Sequence, residues 1–281
     1  MKRLVALMIC AVSLGAAAQI PDCLPVPFVN GSLTNHSEKA AQLGLMGAIQ
    51  NNENVLFYES FSNGFAGSNG MGSWTTADNV GDSLWIYAQG LTDTGWGLGI
   101  YADGTATGVT HPAGEFSTNF GILQSTSGDD GFMIFDCDYF NTPVSNGYVD
   151  VEGSLTSPVL DFSSEGSLIV QWESYFRYCC YPYPPIFLEV GVIQGGSTTW
   201  TTFPAHGDFI PSANTASQNP QITQVDVSCA AAFQDSVQIR FSYRQPDEVG
   251  EGYSHYYWGI DDVQVYDSTP NHDLEVKAVL N

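Results

Sequence analysis

Residues 168–176 read LIVQWESYF, and this short run indicates the class of fold. Its apolar positions alternate with polar ones: Leu168, Val170, Trp172 and Phe176 against Gln171 and Glu173. Because successive side chains of a β-strand point to opposite faces, the alternation predicts a half-buried strand. Residues 237–243 repeat the pattern, with apolar side chains at the odd positions and polar ones at the even positions.

Similar short runs recur from residue 55 onward. They are rich in β-branched and aromatic residues and are separated by Gly, Asn, Asp, Ser and Pro: 56–61, 84–87, 132–135, 168–176, 186–193, 237–243 and 258–266. Many short strands with almost no helical periodicity predict an all-β protein, either an antiparallel sandwich or a barrel. The Gly-, Thr- and Asp-rich segment 90–131 has only brief apolar stretches, so we expect a long loop that decorates one end of a sandwich.

The N-terminus has the pattern of a secretory signal peptide. Lys2 and Arg3 precede an apolar run, and Ala16-Ala17-Ala18 offers an A-x-A cleavage site. The expected division of the chain is a signal peptide at 1–19, a leader with a helix near 37–49 at 20–54, a β-domain at 55–267, and a linker with the start of a further module at 268–281. After the signal, no apolar run reaches the ~18 residues of a transmembrane helix.

Composition excludes several classes of function. The 30 acidic and 7 basic residues give a formal net charge of −23. A chain this acidic does not hold nucleic acid or an anionic membrane surface by charge. With 43% hydrophobic and 13% aromatic residues, the chain has ample material for a core and is not disordered.

The cysteines indicate an oxidising compartment. Cys10 lies in the signal, which leaves Cys23, Cys137, Cys179, Cys180 and Cys229. This number is odd, so at least one thiol stays unpaired within the chain. The two adjacent cysteines rarely bond to each other, and we expect a disulfide from one of them to Cys137 or Cys229. No C-x-x-C pattern suggests a zinc site.

Three ordered stretches resemble one family of secreted bacterial surface proteins. They are LFYESF at 56–61 followed by GSWTT at 72–76 and DSLW at 82–85, then GFMIFDCD at 131–138 followed by LTSPVLD at 155–161, and finally YWGIDDV at 257–263. The order is similar to that of MAM-like, cleaved-adhesin-type jelly-roll domains, including those exported through the type IX pathway. The resemblance implies a two-sheet antiparallel jelly-roll sandwich that is adhesive or carbohydrate-binding, often attached to a peptidase.

The acidic residues suggest calcium. Residues 40–176 contain many Asp and Glu residues but neither Lys nor Arg, and a buried carboxylate without a partner is costly. Calcium balances such groups with oxygen ligands. The resemblance implies a structural calcium where the first and last strands meet, near Glu59 and Asp261 or Asp262. Asp136 and Asp138 alternate by two, which places both on one face of a strand and makes them a second candidate. Most of the other acids are expected at the solvated surface.

Aromatic loops suggest a ligand-binding surface. Tyr181 and Tyr183 alternate with Pro182 and Pro184 beside the cysteine pair, and further tyrosines, among them Tyr253 and Tyr256, precede the last strand. Exposed rings stack on sugars, and proline holds them rigidly. The alternative is that these loop rings are structural. Because the chain is so acidic, a neutral glycan or a surface protein is the expected partner.

No catalytic motif stands out. The five histidines are scattered, and neither H-E-x-x-H nor G-x-S-x-G occurs. A pair of carboxylates for glycoside hydrolysis stays open, because any acidic sandwich offers candidate pairs. We therefore expect a secreted, non-catalytic adhesion or carbohydrate-binding module with a structural calcium. The alternatives are an accessory domain of a peptidase or glycosidase whose catalytic part is absent from this chain, and a glycosidase acting on its own.

Overall fold

The computed structural model of the protein describes residues 54–78, 85–90, 97–114, 117, 121–140, 151–178, 185–206, 215–244 and 256–267. Within these ranges the fold is an antiparallel β-sandwich of two sheets, as the sequence predicts. The expected signal peptide, leader helix and C-terminal linker lie outside the described residues. No helix in the described ranges is both long and apolar enough to span a membrane.

The strands, in chain order, are β1 (Asn54–Glu59), β2 (Thr75–Asp78), β3 (Trp85–Gln89), β4 (Gly97–Ile100), β5 (Ala106–His111), β6 (Gly131–Phe135), β7 (Glu152–Thr156), β8 (Leu168–Tyr178), β9 (Ile186–Gln194), β10 (Ser197–Pro204), β11 (Thr215–Ala216), β12 (Gln221–Asp226), β13 (Val237–Arg244) and β14 (Tyr257–Asp267). The described helices are two single turns, α1 (Cys137–Phe140) and α2 (Ser228–Ala231), besides a 3-10 turn at Gly64–Ala66.

The larger sheet has the order β11-β8-β14-β6-β3-β4-β5, with β1 paired to β14 and β12 paired to β8. The smaller sheet has the order β10-β9-β13-β7-β2. All paired strands are antiparallel, and the register of β1 sets Glu59 opposite Val263 of the last strand. The first and last described strands therefore lie side by side.

Aromatic rings fill the space between the sheets. The ring of Phe241 from the small sheet lies 5.3 Å from Trp172 and 5.8 Å from Trp258 of the large sheet, measured between centroids. Phe135 and Tyr243 stack across the core at 4.3 Å. These rings are fully or almost fully buried. Burying such large apolar side chains is the main stabilising contribution in a sandwich of this kind.

Two expectations from the sequence are wrong, one about the exposure of a strand and one about a long loop. Strand β8 is buried on both faces, because Gln171 and Glu173 on its outer side are only 7% and 4% exposed. Segment 90–131 is not one long loop, since it contains β4 and β5, which extend the large sheet. Part of its remainder packs on the outer face of that sheet, where Leu123 joins a second apolar cluster with Ile134 and Tyr257.

Candidate functional site

Glu59 is a buried hydrogen-bond acceptor rather than an open cation ligand. It ends β1 with its side chain in the core and is 0% exposed. Its Oε1 accepts from the backbone N–H of Phe61 at 2.7 Å and from Ser68 Oγ at 2.5 Å, and its Oε2 accepts from Trp74 Nε1 at 3.1 Å. The backbone N–H of Ser68 also donates to this carboxylate. These donors already neutralise much of its need for a counter-charge.

Asp262 contacts different groups from Glu59. Its Oδ1 accepts from Tyr58 OH at 2.5 Å and from Ser127 Oγ at 2.9 Å, and its Oδ2 accepts from the backbone N–H of Ser127 at 2.9 Å. Tyr58 and Glu59 are consecutive on β1 and therefore face opposite sides of the sheet. The two carboxylates share no hydrogen-bond partner, although their strands are neighbours as expected.

Asp261 carries the least satisfied carboxylate of this region. It is 0% exposed, and its Oδ2 accepts from Ser125 Oγ at 2.5 Å; Ser127 Oγ lies 3.2 Å away, but its one proton has a closer acceptor in Asp262 Oδ1. Among the described residues, its Oδ1 accepts no hydrogen bond. Burial raises the pKa of Asp261 well above its ordinary value, and the neighbouring charges of Asp262 and Glu173 raise it further. The group therefore favours either a bound proton or a nearby cation.

The described residues contain no group of three or more His, Cys, Asp and Glu side chains that could hold a metal ion. The expected calcium ligands thus do not form a ready carboxylate cage. Around Asp261 the oxygen atoms come instead from hydroxyl groups and from neighbouring carboxylates. Of the predicted ligands there, only Asp261 presents a buried oxygen without a donor.

Asp136 and Asp138 do not lie on one face of a strand, so that expectation is wrong. Strand β6 ends at Phe135, and Asp138 belongs to the helical turn α1. Asp136 Oδ2 accepts from the backbone N–H of Ala113 at 2.7 Å and lies 2.7 Å from His111 Nδ1. Burial raises the pKa of Asp136, while the hydrogen bond and charge of His111 lower it.

His111, Asp136 and Thr107 have the connectivity of a catalytic triad. His111 Nε2 lies 3.1 Å from Thr107 Oγ1, and His111 is 0% exposed. However, Thr107 Oγ1 also donates to the carbonyl of Val109 at 2.9 Å. A hydroxyl has one proton, so this carbonyl competes with the imidazole for it, which disfavours activation of the hydroxyl as a nucleophile.

The remaining predicted residues are cysteines and tyrosines, and the structure describes only some of them. Cys137 is a buried thiol at the start of α1 and not a disulfide partner, which corrects one candidate. Cys229 is disulfide-bonded, and its partner lies outside the described residues.

Tyr256 is 8% exposed, so the expectation of an exposed ring is wrong, and Arg177 lies 5.0 Å from its ring centroid. The other candidates lie outside the described residues: Cys179, Cys180, Tyr181, Tyr183 and Tyr253.

The outer face of the small sheet carries a charged cluster that the sequence analysis did not single out. At its centre lies Glu189, which is 1% exposed. Its carboxylate accepts from Arg240 Nε at 2.7 Å, from Arg244 Nη2 and from Ser242 Oγ. Desolvation acts to raise the pKa of Glu189, but the hydrogen bonds and charges of these partners dominate and lower it.

Aromatic rings flank both arginines of this cluster. The Arg240 guanidinium lies 3.7 Å above the ring centroid of Trp200, and that of Arg244 lies 5.5 Å from Phe187. Such cation–π contacts, with the shared carboxylate, restrict the rotamers of both side chains. The two guanidinium groups are therefore held in place on the surface.

A trough of about 360 Å³ lies beside the cluster. Cross-strand pairing places three small residues in a row, Ser242 opposite Ser154 and Ser154 opposite Ala77. The lining residues are Ala77, Asp78, Glu152, Gly153, Ser154, Arg240, Ser242, Tyr243 and Arg244. In the sequence, the alternation of Arg240, Ser242 and Arg244 indicates that these three residues share one face of β13. It does not show which strands lie beside β13 and complete the trough.

The described fold is thus a two-sheet antiparallel β-sandwich. The chain is similar to the K1 cleaved adhesin domain of Lys-gingipain from Porphyromonas gingivalis W83, at 16% identity and a TM-score of 0.39, covering 74% of this chain and 96% of that one. The K3 domain of the same protein is 13% identical with a TM-score of 0.35, and the match covers 75% of this chain and 98% of that one. The CBM22-2 xylan-binding domain of Paenibacillus barcinonensis Xyn10C is 12% identical with a TM-score of 0.35, and the match covers 76% of this chain and 99% of that one.

No protein-family model matches the chain, and no curated protein matches it. These three solved structures are adhesin and carbohydrate-binding domains, and the likeness is one of fold.

Proposed function

We propose that this protein is a secreted, non-catalytic β-sandwich module of the adhesion or carbohydrate-binding type, related to the MAM-like, cleaved-adhesin-type domains. Its proposed ligand is a neutral glycan or a surface protein. The signal-like N-terminus supports export, and the order of the sequence stretches supports the type IX route. The observation that carries the proposal is that the buried acids have structural hydrogen-bond partners.

Asp261 and Asp262 are the two acids that most resemble a glycosidase pair, but they are not accessible to a sugar. A glycosidase needs two carboxylates about 5–10 Å apart on either side of the scissile bond. Asp261 and Asp262 are adjacent and one has a raised pKa, yet they are only 0% and 3% exposed. The segment that contains Ser125 and Ser127 bonds directly to both of them. This arrangement favours a structural role for the pair.

The test joins a glycan array with activity assays on the secreted protein. We expect saturable binding to at least one neutral glycan or to a surface protein, and no turnover of fluorogenic glycosides or of casein. Release of sugar or peptide by the pure chain would contradict the non-catalytic proposal. An accessory domain of a larger enzyme would give the same binding and no turnover by this chain alone.

The loop tyrosines stay part of the proposal. Tyr181 and Tyr183 alternate with prolines, which would present both rings rigidly. A variant with both tyrosines changed to Ala is expected to keep its melting temperature and to weaken glycan binding. Equal binding by the variant and the wild type would remove these rings from the ligand site.

Calcium is a second proposal, and Asp261 supports it better than Glu59 does. The buried Oδ1 of Asp261 offers a cation an oxygen atom, and the charges of Asp262 and Glu173 nearby favour a cation there, although the three side chains do not form a ready set of ligands. At a hundred times the dissociation constant, calcium would add ~2.7 kcal/mol to the free energy of unfolding. EDTA should reverse this gain, and Asp261→Asn should reduce it. Identical melting curves with calcium and with EDTA would end the proposal.

A further inference from the structure

The trough on the small sheet is a shaped polar surface rather than a flat one. Its middle row consists of small side chains, Ala77, Ser154 and Ser242, on the outer face of three adjacent strands. Arg240 and Arg244 lie on either side of Ser242 along β13, and Glu152 is the cross-strand partner of Arg244. Large flanks around a row of small residues leave room for an extended ligand across the strands. The volume of about 360 Å³ falls in the usual range of ligand sites.

The arginines of the trough keep hydrogen-bonding capacity for a ligand. A guanidinium has five N–H donors. The bonds to Glu189 use Nε of Arg240 and Nη2 of Arg244. The two side chains are 22% and 43% exposed, so solvent reaches both of them. Because Trp200 and Phe187 already flank the guanidinium planes, a ligand would lose little binding free energy to ordering them.

The lining combines both signs of charge, and this limits the chemistry of the ligand. Two guanidinium groups face the trough, together with the carboxylate of Glu152, which is on the same face of the sheet as Ser154 and Ser242. An anionic ligand would meet this carboxylate, and a cationic ligand would meet the arginines; like charges brought together lower affinity. The hydroxyl groups of a neutral sugar both donate and accept hydrogen bonds. They therefore complement a surface that offers a carboxylate and guanidinium N–H groups side by side.

We infer that the outer face of the five-stranded sheet is a binding site for a neutral glycan chain. The chain lies in the trough over Ser242, Ser154 and Ala77, with Arg240 and Arg244 as donors and Glu152 as an acceptor. This inference rests on the proposed function and deepens it, because it assigns the site to a sheet face rather than to the tyrosine loops. The ligand contacts the described sandwich itself, so its binding is independent of Tyr181 and Tyr183.

The test fills the trough without touching the buried network. Ser154→Tyr puts a ring into the middle row at a partly exposed strand position, where aromatic residues are well tolerated. Thr198→Tyr is the matched control, because Thr198 is exposed on β10 of the same sheet and does not line the trough. Both variants and the wild type are applied to an array of neutral xylo-, cello- and manno-oligosaccharides with acidic polygalacturonate and heparin fragments. Calorimetry then gives the affinity for the best ligand.

We expect Ser154→Tyr to weaken neutral-glycan binding at least about tenfold, which is 1.4 kcal/mol, while Thr198→Tyr binds like the wild type. Glu152→Ala, which removes one exposed acceptor, should weaken binding about threefold to tenfold and keeps the proposal testable if Ser154→Tyr does not fold. Unchanged binding by the folded trough variants would overturn the site and leave the proposed function standing. Wild-type protein that binds no neutral glycan would overturn both, and preferential binding of the acidic fragments in the trough would overturn the neutral class.

Discussion

Glu59→Gln should be strongly destabilising, because the carboxylate accepts from donors on both oxygens. Phe61 N–H and Ser68 Oγ donate to Oε1, and Trp74 Nε1 donates to Oε2. In either orientation, the amide –NH₂ of glutamine meets a donor and leaves it without an acceptor. Hydrogen bonds to charged groups contribute about 1.5–3 kcal/mol each, so weakening or losing two of them costs about 3–5 kcal/mol.

The measurement is urea or thermal unfolding in EDTA and again in calcium, with Glu152→Gln as control. Glu152 is exposed on β7, and a change there should stay within about 0.5 kcal/mol. For a protein of this size, Glu59→Gln should lower the melting temperature by roughly 10 °C, equally in both buffers. A loss seen only in calcium would show that Glu59 is a metal ligand, and no loss in either buffer would refute the hydrogen-bond argument.

Three further changes test other parts of the structure. The raised pKa of Asp261 means that wild-type stability in EDTA falls as pH rises from about 4 toward that pKa, so Asp261→Asn should gain relative stability between pH 4 and 7 in urea titrations. Glu189 has a lowered pKa, so its contribution is present above its unfolded pKa and is lost as pH falls through the folded value; Glu189→Gln should cost about 3 kcal/mol at pH 7 and less in acid. Gly131→Ala should cost at least about 2 kcal/mol in thermal unfolding, because φ is +119° and the new Cβ would lie 2.5 Å from the Tyr87 ring.

The strands were predictable from sequence because alternation is a local property. Each of the seven apolar runs proposed as strands overlaps a strand of the structure. Exposure was less predictable, as Gln171 and Glu173 show. The carboxylate of Glu173 accepts from Thr126, which is 47 residues away in the chain, and Gln171 accepts from Gln224. No pattern within β8 itself carries that information.

The excess of acidic residues was visible in the sequence, but the groups that compensate their charge in the fold were not. A stretch with many acids and no cations requires some compensation, and calcium was the expected one. In the structure, much of the compensation comes from hydroxyl and backbone N–H donors such as those of Ser68 and Ser127. Ser127 reaches Asp262 across 135 residues, so only the folded topology brings donor and acceptor together.

The scarcity of cations gives the small-sheet cluster its significance. Beyond the expected signal peptide the sequence has only five basic residues, yet two of them, Arg240 and Arg244, share the single carboxylate of Glu189. One guanidinium would already neutralise that charge, and buried acids elsewhere, such as Glu59, are satisfied by uncharged donors. The second arginine helps to stabilise the buried acid, but it leaves one positive charge in excess of the single carboxylate that the two arginines share. Its 43% exposed side chain beside the trough is explained if the cluster also presents donors to a ligand from solution.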